Sequence, residues 1–454
     1  MKKFLCAVLA AVCLFSFCSC SAQEIYSGLD SIFAGAGYIN WAEFSDEKSE
    51  TGSKYKNHFD ALTSDQKKGY NNILESIMTA EESLPEKTEV PYMTAEDLTK
   101  VFEAVVYDNP EIICIGRDCK IITEGSRCYF KAEYSMSLSE FHQKLSEMDK
   151  KCDEIIGKIP ADASDFEKEL YIHDYIVKNC DYDDSRDVTT SMTYSCIVAG
   201  SAACEGYAKA AKYLLEKAEI ECFTLVGDAQ NFEGETESHM WNIVNIDGEY
   251  YHLDTTWDDP DGSESGMSHI YMNLNDDEIK KDHSNFYTDI KCTAVKANYF
   301  AKESCLFSSF KNSDYNKLKS LLAKRAKNGE KSIEIRFENE TAYKKAIKSL
   351  TENGMAYSLA SSVNKKYGTK LNEKNIAYTA DDNFLVLKVI VVKRMHRLTC
   401  FKHNKIRNVN DIVDRSHARS RDCFLHPIRR RLDSEVFNHS SDISRTKVII
   451  FNLN

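Results

Sequence analysis

Beyond residue 22 the chain has no apolar stretch long enough to cross a bilayer, which excludes a later membrane-spanning helix. Positive charge is not in excess, since 58 Lys and Arg stand against 71 Asp and Glu for a net charge of -13, and nothing in that balance points to nucleic acid. None of the 16 cysteines falls in a CxxC spacing or an even framework, so neither a cysteine-built zinc site nor a disulfide pairing can be assigned. What remains is an ordinary globular composition, 43% hydrophobic and 11% aromatic over 454 residues, enough for two or three domains.

The N-terminus, "MKKFLCAVLAAVCLFSFCSCSAQE", places two lysines before a short apolar run that ends in small residues, the pattern of an export signal over 1–22. Cleavage before Cys20 would leave a lipidated N-terminal cysteine, as in a bacterial lipoprotein, although Cys18 is unusual just before such a site. Cleavage after Ala22 would instead release a secreted protein. Either way the mature chain is expected outside the cytoplasm, with a lipid anchor at Cys20 as its one link to a membrane. At the other end, 393–454 carries 14 basic against 6 acidic residues and shows no helical or strand period. It reads as a basic, atypical tail that is disordered or non-native.

Between these ends the periodicity divides the chain into a polar, flexible linker (23–56), an α+β domain (57–160), a core (161–298) and a second α+β domain (299–392). Helical spacing marks 64–84, 94–107, 137–157, 164–179, a short helix at 194–198, 314–328 and 340–353. Alternation marks strands at 221–229, 238–246, 249–257 and 269–274, and again in "SIEIRFE" and "NFLVLKVIVV". Within the core, helices precede a run of antiparallel strands, so the fold class is α+β.

One helix of that core raises a chemical question. In "SAACEGYAKAAKYLLEKA", Tyr207, Ala210, Ala211, Leu214 and Leu215 share one stripe, and Cys204 sits a turn upstream. The first N–H groups of a helix lack internal partners and carry partial positive charge, which favours a thiolate there. A structural cysteine is the commoner case, so a nucleophile needs a base and an orienting group from elsewhere. "SHMWNIVNIDGEYYHLDTTWDDP" supplies both. Asp247-Gly248 between two alternating runs signals a two-residue hairpin, in which Ile246 faces Glu249, Asp254 faces Trp241 and His239 faces Thr256. His239 and Asp254 are then diagonal neighbours on one face, whereas a three-residue turn would separate them. A carboxylate on one ring nitrogen leaves the other for a thiolate. His252 shares that face and is the rival base.

These residues resemble a family. "ACEGYAKA", "SHMWNIV" and "YYHLDTTWDDP" look like the three blocks of the transglutaminase-like superfamily, papain-like cysteine enzymes, over about 164–275. "SDFEKELYIHDYIVKNCDYD" and "VFEAVVYDNPEIICIG" resemble segments that precede the cysteine block in its exported bacterial members. The resemblance implies a helix-borne cysteine packed on an antiparallel sheet, with Cys204 as thiolate, His239 as imidazolium and Asp254 as orienter. It further implies acyl transfer through a thioester on a peptide or glutamine carboxamide, ending in proteolysis, deamidation or cross-linking. The expected partner is a protein or peptide, cell-wall peptide among them, with no cofactor, no metal and no nucleic acid.

The chain also departs from the family. The tryptophan that helps bind the oxyanion in animal members has no counterpart here, because the three tryptophans are Trp41, Trp241 and Trp257. The Cys204 N–H is one donor, and Tyr182 or Tyr194 is a candidate for the second, with Trp241 and Trp257 as aromatic neighbours of the site. Calcium sites are not recognisable, and Asp258 and Asp259 read as solvated or capping residues of a turn. The competing reading is a non-catalytic surface or adhesion module that keeps the fold. A metal site built from Cys204, His239, His252 and Asp254 fits no zinc spacing.

Overall fold

The structure, a computed structural model, describes residues 45–391 apart from 126, 186, 231–233, 260–266, 331, 351–354 and 374–375, together with 406–408 and 446–452. The export signal, Cys20, Trp41 and most of the basic tail lie outside the described residues. Among the described residues no helix is long and apolar enough to cross a membrane. The architecture is α+β, with three mixed layers of helix and largely antiparallel sheet in chain order.

The first layer packs α1 (Ser64–Met78) and α2 (Ala95–Asp108) on a sheet of β1 (Thr88–Val90), β2 (Ile115–Glu124) and β3 (Arg127–Tyr134). Thr63 and Thr94 cap the two helices through their hydroxyls, which satisfies orphan N–H groups where the periodicity begins. α3 (Leu138–Ile156), capped by Ser137, leads to α4 (Asp165–Asn179), which starts in a full capping box between Ser164 and Glu167.

The central layer positions the candidate site. β4 (Asp181–Tyr182) pairs in parallel with β5 (Ser201–Ala202), and this pair delivers the chain to α5 (Cys204–Lys217). α5 packs on β6 (Cys222–Gln230) and β7 (Thr236–Ile246) of a five-stranded antiparallel sheet. β8 (Glu249–Leu253), β9 (Met272–Leu274) and β10 (His283–Ser284) complete it, in the order β10-β6-β7-β8-β9. The stripe Tyr207, Ala210, Ala211, Leu214 and Leu215 is fully buried. The rest of the helix is not a solvated face: Lys209 and Lys212 are buried too. Lys212 Nζ donates to Ser53 Oγ, Tyr55 O and Cys222 O, so a buried ammonium pins the segment before α1 to the helix. Within 45–56, Ser53 and Lys56 are buried.

The third layer has β11 (Leu306–Phe307), α6 (Asn312–Lys327), β12 (Ser332–Phe337), α7 (Glu340–Leu350), α8 (Met355–Tyr367), β13 (Ile376–Asp381) and β14 (Val386–Val391). β1, α8 and β13 were not legible from periodicity. Two pieces of the basic tail are strands rather than structureless chain: β15 (Ile406–Asn408) pairs with β13, and β16 (Thr446–Asn452) pairs with β2.

Candidate active site

The hairpin register follows from its turn. Asp247 and Gly248 have φ of 53° and 84°, both positive, as a two-residue turn matched to strand twist requires. Ile246 pairs with Glu249, Ile243 with His252 and Asn242 with Leu253, the register expected from the sequence. The ladder stops there. Asp254 turns its own carboxylate onto the backbone ahead, Oδ1 accepting from Thr256 N at 2.9 Å and Trp257 N at 3.2 Å. That local competition ends the strand at Leu253, four residues short of the expected 257, and fixes the carboxylate at the head of the hairpin.

His239 Nε2 lies 2.7 Å from Asp254 Oδ2, with both side chains buried. The other nitrogen, Nδ1, is buried with no conventional hydrogen-bond partner, and the Cys204 sulfur interacts with this ring. Because Nε2 is taken, Nδ1 is the nitrogen left for the sulfur. Burial pulls the His239 pKa down, but the Asp254 carboxylate and then Cys204 outweigh it and push it up to about 10. Asp254 is held well below the usual carboxylate range: burial opposes this, and His239 and His283 overcome it.

Cys204 is the first residue of α5, and the preceding Ala203 offers no side-chain acceptor to the first turn. The positive end of the helix thus keeps its N–H groups from a side-chain cap. Gly206 lets the helix tip sit low. A Cβ there would meet Thr190 O at 2.5 Å and Ala202 Cβ at 2.8 Å. On the sheet side, Gly227 pairs with His239, and a Cβ at Gly227 would strike Trp241 at 2.8 Å.

The remaining residues singled out from the sequence take separate places. Trp241 is stacked on His239, with centroids 6.0 Å apart and planes 14° apart, and its Nε1 donates to His252 Nδ1 at 3.1 Å. Trp257 is half-buried against the other side of His239 at 5.8 Å. His252 Nε2 bonds Asp276 Oδ1 at 3.0 Å, so the rival base has both nitrogens occupied, and burial keeps its pKa below the ordinary value. Among the described residues His239 and Asp254 group with His283, and His252 groups with Asp276 and Cys292. Tyr194 gives its hydroxyl to Glu147 Oε2 at 2.8 Å, away from the helix tip. Tyr182 pairs with Ala202 and tilts against Tyr207 at 6.4 Å, next to that tip.

Asp258 and Asp259 both have protein partners, the first buried and the second half-buried. Asp258 is fully buried and accepts from Tyr271 N, and Asp259 accepts from Tyr207 Oη at 2.6 Å. Asp258 is thereby tied to His173 of α4 and the half-buried Asp259 to Tyr207 of α5. His283 was missed from the sequence: its Nε2 lies 3.2 Å from Asp254 Oδ2 and its Nδ1 2.7 Å from Asp282 Oδ1. The long connection from Asp254 to β10 hides this approach from any register count. The ten described cysteines are all buried thiols. Burial pushes Cys114, Cys152 and Cys292 up to about 12 and Cys305 up to about 11.

Comparison with known proteins gives one family. Residues 151–255 match the model of the Transglutaminase-like superfamily, a span that includes Cys204, His239 and Asp254. No curated protein matches the chain. Among solved structures, a candidate cysteine protease from Cytophaga hutchinsonii is similar at 20% identity over 24% of this chain and 37% of that one, with a TM-score of 0.21. A TGase is similar at 15% identity over 30% of this chain and 43% of that one, also with a TM-score of 0.21. The chain thus spans less than half the length of either structure. Within its α+β fold, the segment 151–255 is a transglutaminase-like domain.

Proposed function

We infer that the protein is a cysteine acyl-transfer enzyme in which Cys204 is the nucleophile, His239 its acid and base, and Asp254 the orienting carboxylate. One observation carries this reading: a buried imidazole bound through Nε2 to a carboxylate at 2.7 Å also interacts with the sulfur of a helix-tip cysteine. The thiolate attacks a peptide or glutamine carboxamide carbonyl, and the imidazolium protonates the departing amine. The resulting thioester passes its acyl group to water or to a second amine. First-turn N–H groups of α5, which no side chain caps, would receive the developing oxyanion, with Tyr182, paired with Ala202 just before the helix, as the side-chain candidate for a second donor. The N-terminal sequence supports export and a lipid anchor at Cys20, so the substrate class is a protein or peptide outside the cytoplasm, cell-wall peptides included.

Cys204 is only 1% exposed and His239 fully buried, which favours one second reading, a surface-binding module that retains the fold. Iodoacetamide at pH 6 separates the two. In an enzyme Cys204 reacts far faster than the other thiols and His239→Ala removes that preference, whereas uniform reactivity of all thiols defeats the catalytic reading. Profiling peptide and glutamine donors with and without added amine then distinguishes hydrolysis from transamidation.

A further inference from the structure

A second histidine cluster lies outside the Cys204 site, where α4, the turn after β8 and the third layer meet. His173 Nδ1 and His269 Nε2 each lie 3.0 Å from the same atom, Asp174 Oδ1. All three donor atoms fall within 4.8 Å of one another. The outward nitrogens are also fixed by carboxylates: His173 Nε2 is 3.1 Å from Asp258 Oδ2, and His269 Nδ1 is 3.2 Å from Glu334 Oε2. Tyr299 stacks on His269 at 3.9 Å with planes 4° apart and holds the ring in position.

We propose that His173, Asp174 and His269 form a structural site for one divalent cation of the zinc class. Donors at 2.0–2.2 Å around a tetrahedral ion stand roughly 3.3 Å apart, close to the two 3.0 Å separations here. Each imidazole donates its far N–H to a carboxylate, the second layer of bonds that orients histidine ligands and raises their basicity. The Asp174 side chain is 34% exposed, giving the ion a path in and a water its fourth position. The cysteine spacing that argued against zinc does not bear on this set, which contains no cysteine. Through Glu334 of β12 the ion would tie the third layer to the transglutaminase-like domain.

The test uses the full chain, stripped with a chelator and titrated with Zn²⁺, with metal content and the melting temperature as readouts. Expected are close to one Zn²⁺ per chain and a higher melting temperature on addition. Asp174→Asn, at a half-exposed position, is expected to fold and to lose at least tenfold in Zn²⁺ affinity, and His269→Gln to lose it as well. Sub-stoichiometric metal with an unchanged melting temperature overturns the site, and so does equal Zn²⁺ affinity in the wild type and Asp174→Asn.

Discussion

His239 and Asp254, fifteen positions apart, meet at 2.7 Å just beyond the end of the ladder that the two-residue turn sets. The contact joins two buried groups of opposite charge preference, which makes it sensitive to pH in a defined way. His239 is raised from 6.5 to about 10, so its stabilising contribution is complete below about pH 6.5 and is lost as pH rises through about 10. Asp254 is depressed from 3.8, so its contribution is complete above that value and is lost as pH falls below it.

The difference in unfolding free energy between wild type and Asp254→Asn should therefore be greatest between about pH 4 and 6.5, at roughly 3 kcal/mol, and shrink toward pH 10. Urea melts across that range measure it. A constant difference would mean that the pair is not ionic.

The same carboxylate should shape turnover. If Asp254 keeps His239 protonated, the alkaline limb of kcat/KM in wild type lies well above neutrality, and Asp254→Asn moves it down by about one pH unit or more. A pH–rate profile with a peptide or glutamine donor gives the answer.

The two hairpin histidines should part company. His239→Gln is expected to lower kcat/KM by about 10²–10⁴, the usual worth of a general acid-base group. His252→Gln should leave kcat/KM within about threefold, because both ring nitrogens of His252 are taken by Trp241 and Asp276. Comparable losses in both would reassign the base.

Much of this site was legible because it is local. The Asp247-Gly248 turn and the alternation on either side fix which residues share a face, and a cysteine ahead of a helical stripe marks a helix start. His283 was not legible, nor was the burial of Asp258 or the bond of Asp259 to Tyr207. Those placements depend on how a long connection returns to the sheet edge and on what α4 and α5 press against the turn, and no short-range period encodes either. Lys212 escaped for a related reason: besides Glu216 one turn on, it bonds Ser53 and Tyr55, which come from far upstream in the chain.

Gly206→Ala should destabilise the fold by about 1–3 kcal/mol, since the added carbon would press on the Thr190 carbonyl, a backbone atom that cannot swing aside. Denaturant melts at neutral pH would register the loss. If stability held, the close seating of the helix tip would be refuted.

The acidic run after β8 acts as a surveyor's peg for three directions at once. Asp254 is tied to the hairpin histidine, Asp258 to His173 of α4, and Asp259 to Tyr207 of α5. Adding or deleting one residue between 254 and 259 would thus misalign two helices and a strand together, so length variation that alters substrate choice has to fall outside this segment.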